Sequence, residues 1–122
     1  MKEVYTSGPV KLFETTIVKE DKSIKRILLD MGRDAVMIIP INGDSVLLGK
    51  QKRTGNATAK YEFPSGGVEI HEDPLSAAKR ELLEELGAVG DFKFLGKFTP
   101  LSGLVKLDVY VYLCENTLQN VE

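Results

Sequence analysis

Tryptophan is missing from this chain, and cysteine and histidine occur once each, as Cys114 and His71. A single cysteine cannot close an internal disulfide, and a reducing cytoplasm is the expected setting. Zinc sites built on cysteine pairs are excluded as well. No long apolar run is present: the longest, over residues 35–41, is far shorter than the roughly 20 residues a membrane helix needs. Residues 1–10 lack the uninterrupted apolar stretch of a signal peptide. Nor is there a basic excess. Sixteen Lys and Arg against eighteen Asp and Glu leave a formal net charge of −2, which excludes a strongly basic nucleic-acid footprint. Neither nucleic acid nor membrane is expected as a partner. Internal repeats, low-complexity tracts and Pro/Ser-rich linkers are absent too.

What is present fits one compact domain over residues 1–122, with an ordinary 43% of hydrophobic residues to build a core. Residues 12–18 and 24–29 are rich in Ile, Leu, Phe and Thr and read as strands joined by a charged turn over 19–22. Residues 35–41 form a continuous apolar run, which suits a strand buried on both faces. Asn42-Gly43-Asp44 signals a hairpin, because Asn and Gly tolerate positive φ, and 46–52 is the predicted return strand. Residues 54–60 are small and polar and read as a loop, followed by a short extended piece at Tyr61-Glu62-Phe63. One helix is strongly marked. Asp73 caps it, Pro74 opens it and Gly87 ends it, with Leu75, Ala78, Leu82 and Leu86 expected against the sheet. Strands over 92–99 and 107–113, with a turn at 100–103, complete an α+β layer.

The predicted helix breaks an electrostatic rule. Glu81, Glu84 and Glu85 stand three and four positions apart on one face, where like charges repel by roughly 0.2–0.5 kcal/mol per pair. They also sit in the last turns, where the helix dipole disfavours anions by about 0.3–1 kcal/mol each. A solvated acidic face, partly relieved by Lys79 and Arg80, is the plain explanation. The alternative is a divalent cation, which turns the same clustering into a ligand set; oxygen-only ligands point to magnesium or manganese.

From Gly66 to Ala88 the chain reads Gly-Gly-Val-Glu-Ile-His-Glu-Asp-Pro-Leu-Ser-Ala-Ala-Lys-Arg-Glu-Leu-Leu-Glu-Glu-Leu-Gly-Ala. This resembles the Nudix box, with Gly66, Glu72, Arg80, Glu81, Leu82, Glu84, Glu85 and Gly87 at its specified positions and Ala88 smaller than the usual aliphatic residue. The resemblance implies a Nudix-type α/β/α sandwich with a mixed β-sheet, a small antiparallel N-terminal sheet and one box helix. It implies magnesium-dependent hydrolysis of a pyrophosphate bond, with manganese as the alternative ion. Glu81 and Glu85 would then be principal metal ligands, Glu84 would act directly or through water, and Ser65 would offer its backbone carbonyl. Gly66 would let the backbone turn tightly. Arg80 would pair with Glu72 or a neighbouring glutamate, and Gly87 would end the helix.

Outside the box, residues 32–53 and Glu62-Phe63-Pro64-Ser65-Gly66-Gly67 are similar to the ADP-ribose pyrophosphatase branch, as is Pro100 followed by Gly103. By that resemblance Arg53 would contact a substrate phosphate or ribose, and Glu62, Gly66 and Gly67 would line the pocket. Residues 1–31 would form the leading sheet that packs across a homodimer. Where the branch often carries a polar stretch with a glutamate, this chain reads Leu104-Val105-Lys106-Leu107-Asp108, with Asp108 as the candidate replacement. Relatives generally continue into a final helix, and a late loop often supplies the catalytic base. With the sequence ending at Glu122, that helix is expected to be absent and Glu84 becomes the fallback base. His71 reads as an exposed loop residue; Tyr61, Phe63 and Tyr110 could stack on a base, though aromatic residues on strands are usually core. ADP-ribose is the leading substrate. Another nucleotide, or a module that senses a nucleotide without cutting it, stays open.

Overall fold

The structure, a computed structural model, describes residues 1–51, 58 and 60–119. The first thirty residues form an antiparallel meander: β1 (Lys2–Ser7), β2 (Val10–Lys19) and β3 (Lys22–Asp30). The predicted charged turn is a two-residue one. Glu20 and Asp21 both take left-handed backbone, φ 52° and 58°, between the paired Lys19 and Lys22. That geometry matches the twist of the flanking strands. Strand β1 was not foreseen, and the reason is physical: all six of its residues are exposed, so no buried face imprints an apolar alternation on them.

The second sheet is mixed and carries the core. Strand β4 (Ala35–Asn42) runs parallel to β11 (Val109–Leu118), which pairs antiparallel with β9 (Val89–Phe98). The other edge of β4 is divided between two short strands. Strand β5 (Ser45–Val46) pairs with Ile41 and Asn42, and β8 (Ser65–Gly67) pairs with Ala35, Val36 and Met37. This division corrects the predicted return strand over 46–52. Beyond Val46, β8 already occupies the edge of β4, so β6 (Gly49–Gln51) pairs with β7 (Lys60–Glu62) instead. Late in the chain, β10 (Val105–Lys106) joins β3 in parallel and ties the two sheets together. The predicted strand over 107–113 therefore starts at Val109 and runs on to Leu118.

The only helix among the described residues is α1 (Pro74–Leu86), and none is long and apolar enough to cross a membrane. Its ends follow the sequence signals: Asp73 accepts from the Ser76 amide, and Gly87 is left-handed and donates to the Leu83 carbonyl. Ala77, Ala78 and Leu82 are buried against Val36, Ile38, Tyr112 and Cys114. Two alanines let the helix axis approach the sheet closely. Leu75, expected in that contact, is 38% exposed; Leu86 is half-buried at its margin. Because α1 covers one face of the sheet, β4 alternates between buried Val36, Ile38 and Pro40 and half-buried neighbours. It is not sealed on both faces as its apolar run suggested.

Candidate active site

The inward stripe of α1 includes carboxylates. Glu81 follows Ala77 and Ala78 by one turn, and its side chain is only 12% exposed. Glu85, one turn further, is half-buried with Oε2 shielded from water. Glu84 lies on the outer flank at 59% exposure. A solvated acidic face therefore describes Glu84 but not its neighbours. Charges are expensive to take out of water, so Glu81 needs a cation at hand.

Arg80 supplies one. Its Nε and Nη2 each donate to Glu72 at 2.9 Å, a two-point pair, and Nη2 also donates to the Gly67 carbonyl at 2.9 Å. Its Nη1 donates to Glu81 at 2.8 Å and to Glu84 at 3.3 Å. The Glu69 amide donates to Glu72 at 3.1 Å, closing the loop that leads into the helix. Held chiefly by the Arg80 guanidinium, the Glu72 carboxyl drops from its ordinary 4.5 to about 2. The same pair pushes Arg80 further up. Arg80 thus joins β8, the 68–72 loop and α1 into one unit, satisfying both pairings that the sequence left open.

Gly66 has a task other than the expected one. It is not in a turn but in the extended strand β8, and a Cβ placed on it would meet Glu81 Oε1 at 2.1 Å and Cδ at 2.2 Å. The missing side chain is the space that the Glu81 carboxylate fills. On Gly67 a Cβ would instead meet Arg33 Nε at 2.5 Å. Successive residues of a strand face opposite ways, so β8 lies between the Glu81 carboxylate and the Arg33 guanidinium. No local sequence signal marks Arg33, because only the fold brings residue 33 to residue 67. Beside it opens a cleft of about 280 Å³ lined by Pro9, Val10, Met31, Arg33, Gly67 and Leu107, among others.

Ser65 is placed by the same strand alternation. The Pro64 carbonyl accepts from Ile38 of β4, whereas the Gly67 carbonyl accepts from Arg80. Carbonyls two apart point the same way, so the Ser65 carbonyl is directed to the free edge of β8, on the Arg80 side. Glu62 is half-buried in β7 opposite Gly49. Arg53 lies outside the described residues, as does most of the predicted loop over 54–60. Asp108 accepts from Thr99 at 2.7 Å and lies 3.8 Å from Lys97, which gives it structural partners. His71 is exposed, with a left-handed φ of 66°. Tyr61, expected in the core, is 67% exposed. It is the middle residue of β7 in the two-stranded ribbon β6–β7, which is separate from the core sheet. Among the described residues no three acidic, histidine or cysteine side chains converge as a metal cluster; Glu81 and Glu84 both turn to Arg80.

Residues 31–120, most of the chain and all of this site, match the family model described as the NUDIX domain. The chain belongs to the NUDIX domain family. Among its relatives is the ADP compounds hydrolase NudE of Escherichia coli (strain K12), 37% identical over 102 residues that make up 79% of this chain and 55% of that protein. The ADP-sugar pyrophosphatase of Mus musculus is 41% identical over 63 residues, 48% of this chain and 29% of that one. An RNA pyrophosphohydrolase of Roseobacter denitrificans is 44% identical over 55 residues, 45% of this chain and 34% of that one. The chain spans about a third to about half the length of these curated relatives. In fold it is similar to a crystal structure titled ADP compounds hydrolase, with a TM-score of 0.80 and 22% identity, over 99% of this chain and 67% of that one. A mixed sheet with one box helix and a leading antiparallel sheet is therefore the Nudix fold in this chain.

Proposed function

We propose that this NUDIX domain hydrolyses the pyrophosphate bond of a nucleoside diphosphate derivative, with ADP-ribose, cut to AMP and ribose 5-phosphate, as the leading substrate. The observation that carries the reading is the inward placement of Glu81 in the Gly66 cradle, beside Glu85. A helix has no structural reason to bury acids in its last turns, where its own dipole opposes them. The donor set suits a hard divalent cation: carboxylates of Glu81, Glu84 and Glu85 and the carbonyl of Ser65, all oxygen. Magnesium, with manganese as the alternative, would be held there; when bound it neutralises phosphate oxygens and makes a water more acidic.

The chain's own residues have separate duties in this reading. Gly66 leaves room for Glu81, Arg80 fixes the loop against the helix, and Glu72 fixes Arg80. Gly67, Glu62 and Arg53 line the substrate side. Glu84, the most exposed of the three acids, is the in-chain candidate to take the proton from the attacking water. The water oxygen bonds to phosphorus, one bridging P–O bond breaks, and AMP and ribose 5-phosphate leave. The ADP-compound preference is supported by the Escherichia coli relative, whose similarity covers far more of this chain than that of the RNA pyrophosphohydrolase. The N-terminal sheet is proposed to pack against that of a second copy.

A substrate panel tests this directly. ADP-ribose, an ADP-hexose, ATP, a dinucleoside polyphosphate and a 5′-triphosphorylated RNA are incubated with millimolar magnesium and assayed for AMP, ribose phosphate or pyrophosphate. AMP release from ADP-ribose is expected. Turnover of ATP or the RNA with none of ADP-ribose would reject the substrate class. Tight ADP-ribose binding without any turnover would make the domain a sensor.

A further inference from the structure

Arg80 grips its surroundings in two unequal ways. Nε and Nη2 hold Glu72 and the Gly67 carbonyl, all at 2.9 Å, and none of these partners belongs to the acidic trio. Nη1 alone reaches that trio, at 2.8 Å from Glu81 and 3.3 Å from Glu84, with Glu69 at 3.8 Å. One end of the guanidinium is an anchor, and the other is a counter-charge. Arg80 is also the cation that faces Glu81 across the contacts of the described residues, and Glu81 is nearly buried. The Glu81 oxygen that accepts from Nη1 is the one that lies in the Gly66 cradle, so a divalent ion approaching that oxygen meets the positive charge of the guanidinium.

We propose that the Nη1 arm of Arg80 is a built-in stand-in for the divalent ion, neutralising Glu81 and Glu84 while the ion is away and yielding them when it binds. The Glu72 and Gly67 contacts keep the guanidinium in place through the exchange, so only one arm lets go. This arrangement stabilises the metal-free protein and, by the same competition, weakens metal binding. The inference rests on the proposed use of a divalent ion at this face.

Calorimetric titration with Mn²⁺, together with thermal melts with and without the ion, on the wild type and Arg80→Gln provides the test. A stand-in predicts that the variant binds Mn²⁺ several-fold more tightly. Its melting temperature should fall by several degrees without metal, and saturation should recover the share due to Glu81 and Glu84 while the share due to the lost Glu72 and Gly67 contacts remains. An Arg80 that only orients ligands predicts the opposite: binding weaker by about 10–100-fold and a similar melting loss in both states. That result would overturn the inference. Should the variant fail to fold, side-chain NMR of the wild type replaces it. Mg²⁺ should speed hydrogen exchange at Nη1 while Nε–H stays protected; an Nη1 unmoved at saturation would likewise overturn the inference. A wild type that binds no divalent ion would sink the proposed function itself. One that binds and hydrolyses while Arg80→Gln binds more weakly would sink only the exchange.

Discussion

Glu81 is defined by what lies against it. The far end of its flexible side chain fills the place of a Gly66 side chain, so an added methyl would displace the carboxylate before it disturbed the strand. Gly66→Ala is accordingly expected to lower turnover by about 10–100-fold, the range seen when support for a metal ligand is lost. Its melting temperature should stay within a few degrees of wild type, and unchanged turnover would contradict the cradle. Glu72 makes a second claim, through pH. Its carboxyl is held at about 2 in the folded chain against an ordinary 4.5. A depressed folded value means that the stabilisation is complete above 4.5 and is lost as pH falls toward about 2. Urea midpoints of wild type and Glu72→Gln should therefore differ near neutral pH and converge on acidification. A gap constant across that window would mean that the pair contributes nothing through charge. The box spacing singles out Gly66, Glu72, Arg80, Glu81 and Glu84, which the fold brings into contact with one another. Why Gly66 must be glycine was not legible, because the reason is an approach across 15 positions that only folding creates.

Helix α1 shows which local signals survive folding. Its cap residues act on their immediate neighbours, so Asp73, Pro74 and Gly87 marked both ends correctly. Asp73 accepts from the Ser76 amide and hydroxyl at 2.9 and 3.0 Å. Asp73→Ala should cost about 1 kcal/mol, typical for a lost N-cap, read as a lower urea midpoint at pH 7. A loss below the error of the measurement would show that the cap is dispensable. The buried stripe was less legible. Spacing favoured Leu75, yet the sheet takes Ala77 and leaves Leu75 38% exposed. An apolar pattern specifies a face only to within a residue, and the closeness of the packing selects alanine. Strands β5 and β6 were read as one for a similar reason. Nothing local to residues 46–52 records that β8 has taken the edge of β4.

The two sheets are joined through the β3–β4 connection and β10, leaving the central strands of the N-terminal sheet with little cover on their faces. Ile17, Val18, Ile24 and Ile27 are 40–71% exposed on neighbouring strands β2 and β3. Such apolar exposure in a small domain favours burial against another surface. A homodimer through this sheet should appear as twice the chain mass in light scattering, and Val18→Lys with Ile27→Lys should halve it. A monomer at micromolar concentration would contradict the interface. Strands β2 and β3 were legible in the sequence, but β1, β10 and the exposure of the sheet were not, since burial and pairing are properties of the assembled chain. The acidic face of α1 is the part on which the functional account depends, and Glu85→Gln reports on it most directly, because the substitution removes one charge and almost no volume. Turnover of ADP-ribose at millimolar magnesium should fall by at least about 100-fold, the scale of losing a group that stabilises charge in the transition state, with the circular dichroism spectrum unchanged. Wild-type turnover in a folded Glu85→Gln protein would contradict the assignment of the box glutamates to catalysis.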